Sequence, residues 1–323
     1  YYPSGATQIN NPPPGPVFDP THLAKIRSMG FSTSGIQNFN SSDYLVEGDV
    51  LLSKWYVDSF NGTTSTLANH SVNILLPNFI VLNSNTDWYG AYHNAIWAWN
   101  GSPESNIKLN VVFQESNIYN DAQPVDILIK ESTAFTHVPV IAKFPTGNNK
   151  PGLEILINTN FRYPGNVTPT RAQMTWNIVH AIGHCLGLQH AKGMGSESSL
   201  MKQGTSTSSY TNELSGTYDS GLISDMYPLD QNSVFTPFIN GSNNFPYTQN
   251  SNGYHISYYA PQLEYSWTAT GINGTNYFQH YSDDYRDFLP EIGFNKGTYE
   301  LRCVISGGKY LTPIIAKKII TVY

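Results

Sequence analysis

Apolar residues along this chain recur at two different spacings, and the change of spacing divides it. In WYGAYHNAIWAWN, residues 88–100, Trp88, Tyr92, Ile96 and Trp99 fall three or four positions apart, the repeat of a helix with one apolar stripe. TPTRAQMTWNIVHAIGHCLGL, residues 168–188, does the same with Met174, Ile178 and Ile182; Thr168 or Thr170 caps its start and Gly187 ends it. Between and around these lie short apolar runs bounded by Gly, Pro and Asn: FIVLN from Phe79, LNVVFQE, VDILIKE and LEILINT, each read as a strand. From about residue 230 the helical repeat gives way to strict alternation. Tyr265, Trp267 and Ala269 form one inward row, and Tyr299, Leu301, Cys303 and Ile305 another, as in a β-sandwich.

The first 76 residues have a texture of their own. A polar, proline-rich arm precedes THLAKIRSMGF, a short helix capped by Thr21, striped by Leu23, Ile26 and Met29 and ended by Gly30. YLVEGDVLLSK, residues 44–54, is an extended apolar run broken at Gly48 and Asp49, and FNGTTSTLANHS after it has the composition of an exposed, cuttable linker. The expected architecture is therefore α+β in three parts: an N-terminal segment over 1–76, a small mixed sheet with a site-bearing helix over 77–229, and an all-β module over 230–323.

Composition narrows the function classes. With 12% charged residues and a formal net charge of -6, nucleic acid and acidic membrane surfaces are not expected partners. No apolar run approaches the ~20 residues that span a bilayer. The two cysteines, Cys185 and Cys303, lie far apart and give no disulfide framework.

The chemistry concentrates in WNIVHAIGHCLGLQHAKG, residues 176–193. His180 and His184 are one helical turn apart and share a face, so they can hold one ion. Gly187 lets the backbone turn back in a left-handed conformation and bring His190 toward the same place. Three imidazoles with a fourth position left open is the arrangement of a catalytic zinc site, whereas structural zinc sites are closed by four protein ligands. An ordinary amphipathic helix explains this spacing poorly, since three of the nine histidines fall in it with a glycine at the bend. Cys185 points about 100° away from His184 and reads as a core thiol.

HAIGHCLGLQH resembles the H-E-x-x-H-x-x-G-x-x-H motif of the metzincin metallopeptidases at every fixed position except the second, and more narrowly the HEIGH metallopeptidases of bacteria, close to the astacin branch. The resemblance covers 44–228 by motif and element order. It implies a single zinc ion on His180, His184 and His190, and a methionine in a tight turn beneath them, for which SSLMKQG offers Met201 and, less well placed, Met194. It also implies that zinc polarises the scissile carbonyl and acidifies a bound water, with a glutamate beside the first histidine moving the protons. Here that position is Ala181, which can do neither. A tyrosine the astacin pattern places two residues after the turn methionine is Gln203.

VEGDV, residues 46–50, resembles the F-x-G-D motif of astacin propeptides, whose aspartate occupies zinc's fourth position; Asp49 is the matching residue. No cysteine precedes Cys185, which excludes a propeptide thiolate switch. By the same resemblance LEILINT is expected at the sheet edge that pairs with an extended substrate, with Leu153, Ile155 and Ile157 as substrate-binding positions. The C-terminal module resembles an Ig-like or PKD-like sandwich in outline.

Two functions are thus expected from the sequence. One is a secreted, bacterial, monomeric zinc endopeptidase zymogen acting on proteins or peptides, with its own propeptide as a partner in cis and Ala181 replacing the general base. The other is a natural pseudoenzyme, a zinc-containing protein that binds peptide without cutting it.

Overall fold

The computed structural model describes residues 18–62, 70–76, 87–102, 105–113, 124–147, 149–191, 199–203, 223, 226–227, 237–245, 253–260, 263–272, 278–283, 287–288, 294–307 and 312–323. The proline-rich arm, the strand expected from Phe79, Met194 and most of the linker loop fall outside these residues.

The N-terminal segment folds around its own small core. Helix α1 (Pro20–Ser28) starts with Pro20 in its first turn, and its cap is Asp19, whose side chain accepts from the Thr21 amide; the cap expected at Thr21 is one of the capped positions instead. Strands β1 (Gln37–Asn38), β2 (Asp43–Val46) and β3 (Val50–Ser53) form a meander, followed by helix α2 (Lys54–Ser59). Ile26, Met29, Phe31, Tyr44, Val46, Val50, Leu52, Tyr56 and Val57 pack together, with Phe144 from the body inserted among them.

This meander extends a larger sheet. The strand order is β1-β2-β3-β7-β8-β6-β4-β5, with β4 (Ser71–Leu76), β5 (Lys108–Phe113), β6 (Ile127–Glu131), β7 (Val140–Lys143) and β8 (Glu154–Ile157). Strands β5, β4, β6 and β8 are parallel to one another, β7 runs antiparallel to β8, and β3 joins β7 in parallel through Val50–Ala142 and Leu51–Lys143. The body's first described strand, β4, precedes the boundary expected at residue 77.

Helices α3 (Trp88–Asn100) and α4 (Arg171–Cys185) pack on this sheet and on each other. The predicted stripe of α3, Trp88, Tyr92, Ile96 and Trp99, is fully buried, and the Trp99 indole donates to the Val179 carbonyl of α4 at 3.1 Å. Thr170 caps α4 through a reciprocal capping box with Gln173.

At the C-terminal end stand two further sheets. β12 (Leu263–Ile272), β13 (Phe278–Asp283), β15 (Gly297–Gly307) and β16 (Ile314–Val322) pair antiparallel, with β10 (Asn244–Phe245) parallel to β16. β9 (Ile239–Asn240), β11 (Tyr254–Ile256) and β14 (Asp287–Phe288) make a small antiparallel sheet. The two predicted inward rows are buried as alternation requires. The core they form is continuous with that of the large sheet. Both cysteines are free and buried.

Candidate metal centre

Helix α4 places His180 and His184 one above the other on one face, both buried. It ends in a Schellman turn: the Leu188 amide donates to the Gly183 carbonyl at 2.9 Å, the Gly187 amide to the His184 carbonyl at 3.0 Å, and Gly187 sits at φ +97°. A side chain there would be strained, so glycine fixes the reversal that brings His190 back beside the helix. Beneath them, the turn around Ser199 to Lys202 carries the buried Met201, which lies against Gly183; the Ala191 amide donates to the Met201 carbonyl at 2.8 Å.

The fourth group comes from the far end of the sequence. β2 and β3 form a hairpin whose tip is Glu47-Gly48-Asp49, and Glu47 (φ +53°) and Gly48 (φ +94°) both adopt left-handed backbone conformations. The tip drives Asp49 among the three histidines: its Oδ2 is 3.0 Å from His180 Nε2 and 3.3 Å from His190 Nε2. The four donor groups lie within 4.8 Å of one another, all buried. His184 Nε2 is 2.9 Å and His190 Nε2 3.2 Å from His180 Nε2.

The outer nitrogens explain what these inner ones must be. His180 Nδ1 is 2.7 Å from the Leu200 carbonyl and His184 Nδ1 2.8 Å from the Leu188 carbonyl, acceptors that demand a proton on Nδ1. With protons committed outward, Nε2 lone pairs converge in a buried space, an arrangement that calls for a cation between them. The donor set fits one: a tetrahedral ion with bonds of about 2 Å sets its ligand atoms about 3.3 Å apart. Asp49 Oδ1 is buried without a hydrogen bond, 3.2 Å from His190 Nε2 and 3.8 Å from His184 Nε2, as an oxygen reserved for an ion would be.

Where protons rather than an ion supply the positive charge, the protein groups still draw it to the same space. Burial opposes ionisation of Asp49, but hydrogen bonds from His180 and His190 and the nearby ring charges outweigh it and hold the carboxyl far below its usual range. Burial, then the charge of His180, keeps His184 neutral by pushing its pKa well below the ordinary value. Burial also disfavours charge on His190, yet hydrogen bonds to Asp49 and Glu47 win and push it up to about 9. The pocket is thus built for positive charge balanced by the hairpin's carboxylates.

Sequence reasoning singled out His180, His184, His190, Asp49, Gly187 and Met201; the structure brings the first four together, with Gly187 at the turn that ends α4 and Met201 against Gly183. Ala181 is buried beside His180, its methyl part of the core. The expectation for LEILINT is corrected: β8 lies between β7 and β6, not at an edge, with Ile155 and Ile157 buried and Leu153 outside the strand. The body's strand next to the N-terminal meander is β7, and β3 lies along it.

The roles of several groups at the site escaped the sequence reading. Glu47 Oε2 is 2.8 Å from His190 Nδ1. Gln203 donates to the Glu47 carbonyl at 3.0 Å, His137 Nε2 lies 2.6 Å from the Gly48 carbonyl, and the Ala142 amide donates to the Asp49 carbonyl at 2.9 Å. Trp176 stacks on His180, ring centres 4.8 Å apart. Its position four residues before His180 on the helix was a usable signal. No family model matches this chain, and no curated protein matches it. The centre is therefore defined by its own geometry: a buried cluster of three histidines and one aspartate able to hold a metal ion.

Proposed function

We propose that this chain is the latent precursor of a secreted, monomeric zinc endopeptidase of the astacin-like metzincin type, disabled at Ala181. The observation that carries the reading is Asp49, delivered by the N-terminal hairpin into the three-histidine cluster from 131 positions before His180. A carboxylate so placed completes a four-donor set, and the segment that brings it also lies along β7, the strand with which an extended peptide would otherwise pair. Latency then has two parts, a capped centre and an occupied edge. The mixed sheet with one antiparallel strand beside a site-bearing helix, and Met201 under Gly183, support the metzincin type.

Zinc at this centre supplies Lewis acidity toward a peptide carbonyl and toward water. His180, His184 and His190 would hold it through Nε2, each oriented by the acceptor behind its Nδ1. Ala181 offers no group to take or deliver a proton, so the step that breaks the peptide bond lacks its general acid and base. That same residue favours the second reading, a natural pseudoenzyme that binds peptide. The C-terminal sheets, of Ig-like or PKD-like outline, serve as an accessory module in either case.

Restoring glutamate separates the two. The Ala181→Glu protein, loaded with zinc, is expected to trim itself between α2 and β4, within the 54–77 stretch of linker composition, and to cut a denatured protein in a chelator-sensitive way, read by intact mass over time. A stable mass and an uncut substrate, even after limited trypsin treatment removes the N-terminal segment, would move the assignment to the binding protein.

A further inference from the structure

We infer that Glu47 is a positioning residue for His190, and that it makes the N-terminal segment a metal-retaining device as well as a block. The inference rests on the proposed reading of the cluster as a metal site. Two of the three histidines are oriented from within the body, by the carbonyls of Leu200 and Leu188. The acceptor behind His190 is instead the carboxylate of Glu47, 143 positions earlier in the chain. One imidazole thus stands between two carboxylates of a single hairpin tip, Glu47 behind Nδ1 and Asp49 before Nε2.

The tip is built to hold both. Glu47's side chain is buried, and its second oxygen accepts from the Ser32 amide at 2.6 Å, so the carboxylate is fixed at each end. A non-glycine residue at φ +53° followed by Gly48 at φ +94° turns the backbone so that residues two apart both face His190. All three tip carbonyls are captured by the body, through Gln203, His137 and Ala142. A hairpin needed only to place Asp49 would not require a second buried acid.

A carboxylate behind a ligating histidine raises the basicity of the coordinating nitrogen more than a carbonyl does, because its hydrogen bond is charge-assisted. Together Glu47 and Asp49 also bring two negative charges to a buried site meant for a dication. The precursor therefore holds its ion more tightly than the body can once the segment departs and His190 loses its anionic partner.

The test uses the full chain and Zn2+ alone, in competition with a chromophoric chelator. Glu47→Ala is expected to weaken zinc about 10–100-fold. Glu47→Gln, which keeps the shape and an acceptor oxygen but no charge, should fall between it and the unsubstituted chain. The same Glu47→Gln change is then made in an Asp49→Ala background. An effect through His190 persists there, whereas an effect that works only by placing Asp49 disappears. Circular dichroism of the ion-free variants confirms that the comparison is between folded proteins. Equal affinity of the Glu47 variants and the unsubstituted chain, or loss of the effect without Asp49, overturns the inference while the metal reading stands. No zinc binding by the unsubstituted chain overturns both.

Discussion

The place where a side chain on Gly183 would sit is filled by Met201: a methyl built there meets the sulfur at 2.5 Å and the terminal carbon at 3.1 Å. That contact matters beyond packing, because Leu200, next to Met201, gives its carbonyl to His180 Nδ1. Gly183→Ala forces the flexible Met201 thioether aside, so a cost of about 1 kcal/mol, the low end for an overpacked core, is expected, with weaker metal binding through His180. Thermal unfolding with and without zinc checks both parts; an unchanged response to zinc would show that Met201 yields without disturbing Leu200. At this scale the sequence exposed what lies close in the chain. The three histidines and Gly187 fall within eleven residues, so helical geometry and a left-handed turn were enough to join them. Glu47 was hidden because its meaning depends on which nitrogen of His190 faces the ion, a fact created by the fold. Gln203, noticed only as a missing tyrosine, turned out to grip the hairpin tip.

Among the elements, those with a long period were legible and those defined by neighbours were not. Helices α3 and α4 follow from their apolar stripes, whereas the extended run broken at Gly48 and Asp49 did not disclose that its halves, β2 and β3, pair as a hairpin. β7 has only four residues, Val-Ile-Ala-Lys, too few for a period to emerge. β8 was given the edge that β7 holds, although three successive apolar residues, Ile155, Leu156 and Ile157, are themselves the mark of a strand covered on both faces. The β3–β7 junction offers a sharper test. Leu51 is buried against Phe135, Val138, Ile141 and Leu156 of the body, while its neighbour Leu52 packs inside the segment's own core. Leu51→Ala is expected to cost about 2–5 kcal/mol of docking and to speed hydrogen exchange at the Ala142 and Phe144 amides, which donate to Asp49 and Leu51 carbonyls. Amides in α3 and α4 should keep their rates. Unchanged exchange at Ala142 and Phe144 would mean that the segment is held by the tip alone.

For the molecule as a whole, alternation in the C-terminal third revealed sheets but not their attachment. The outer edge of β5 is covered by the strand continuation after β11: the Val111 amide donates to the Ser257 carbonyl at 2.9 Å, and Asn240 donates to the Val111 carbonyl at 3.1 Å. Asn100, at the end of α3, is the buried knot. Its amide nitrogen donates to the carbonyls of Leu109 at 3.0 Å and Tyr259 at 2.8 Å, and its oxygen accepts from the Leu109 amide at 2.8 Å. The Tyr259 hydroxyl in turn lies 2.6 Å from His93 Nδ1. In the sequence Asn100 is an ordinary helix-ending residue, and nothing in its spacing points 159 positions ahead. Because an apolar core runs without a break from β4 to β16, neither part can lose its fold without exposing the other's interior. The unsubstituted body and C-terminal sheets are therefore expected to unfold in one calorimetric transition. Asn100→Ala strips two buried carbonyls and one amide of their partners, each worth about 1–3 kcal/mol when left unsatisfied. It should lower that transition sharply or split it in two, with the zinc-stabilised part melting last. Two well-separated transitions in the unsubstituted chain would show instead that the shared core is a contact between independent units.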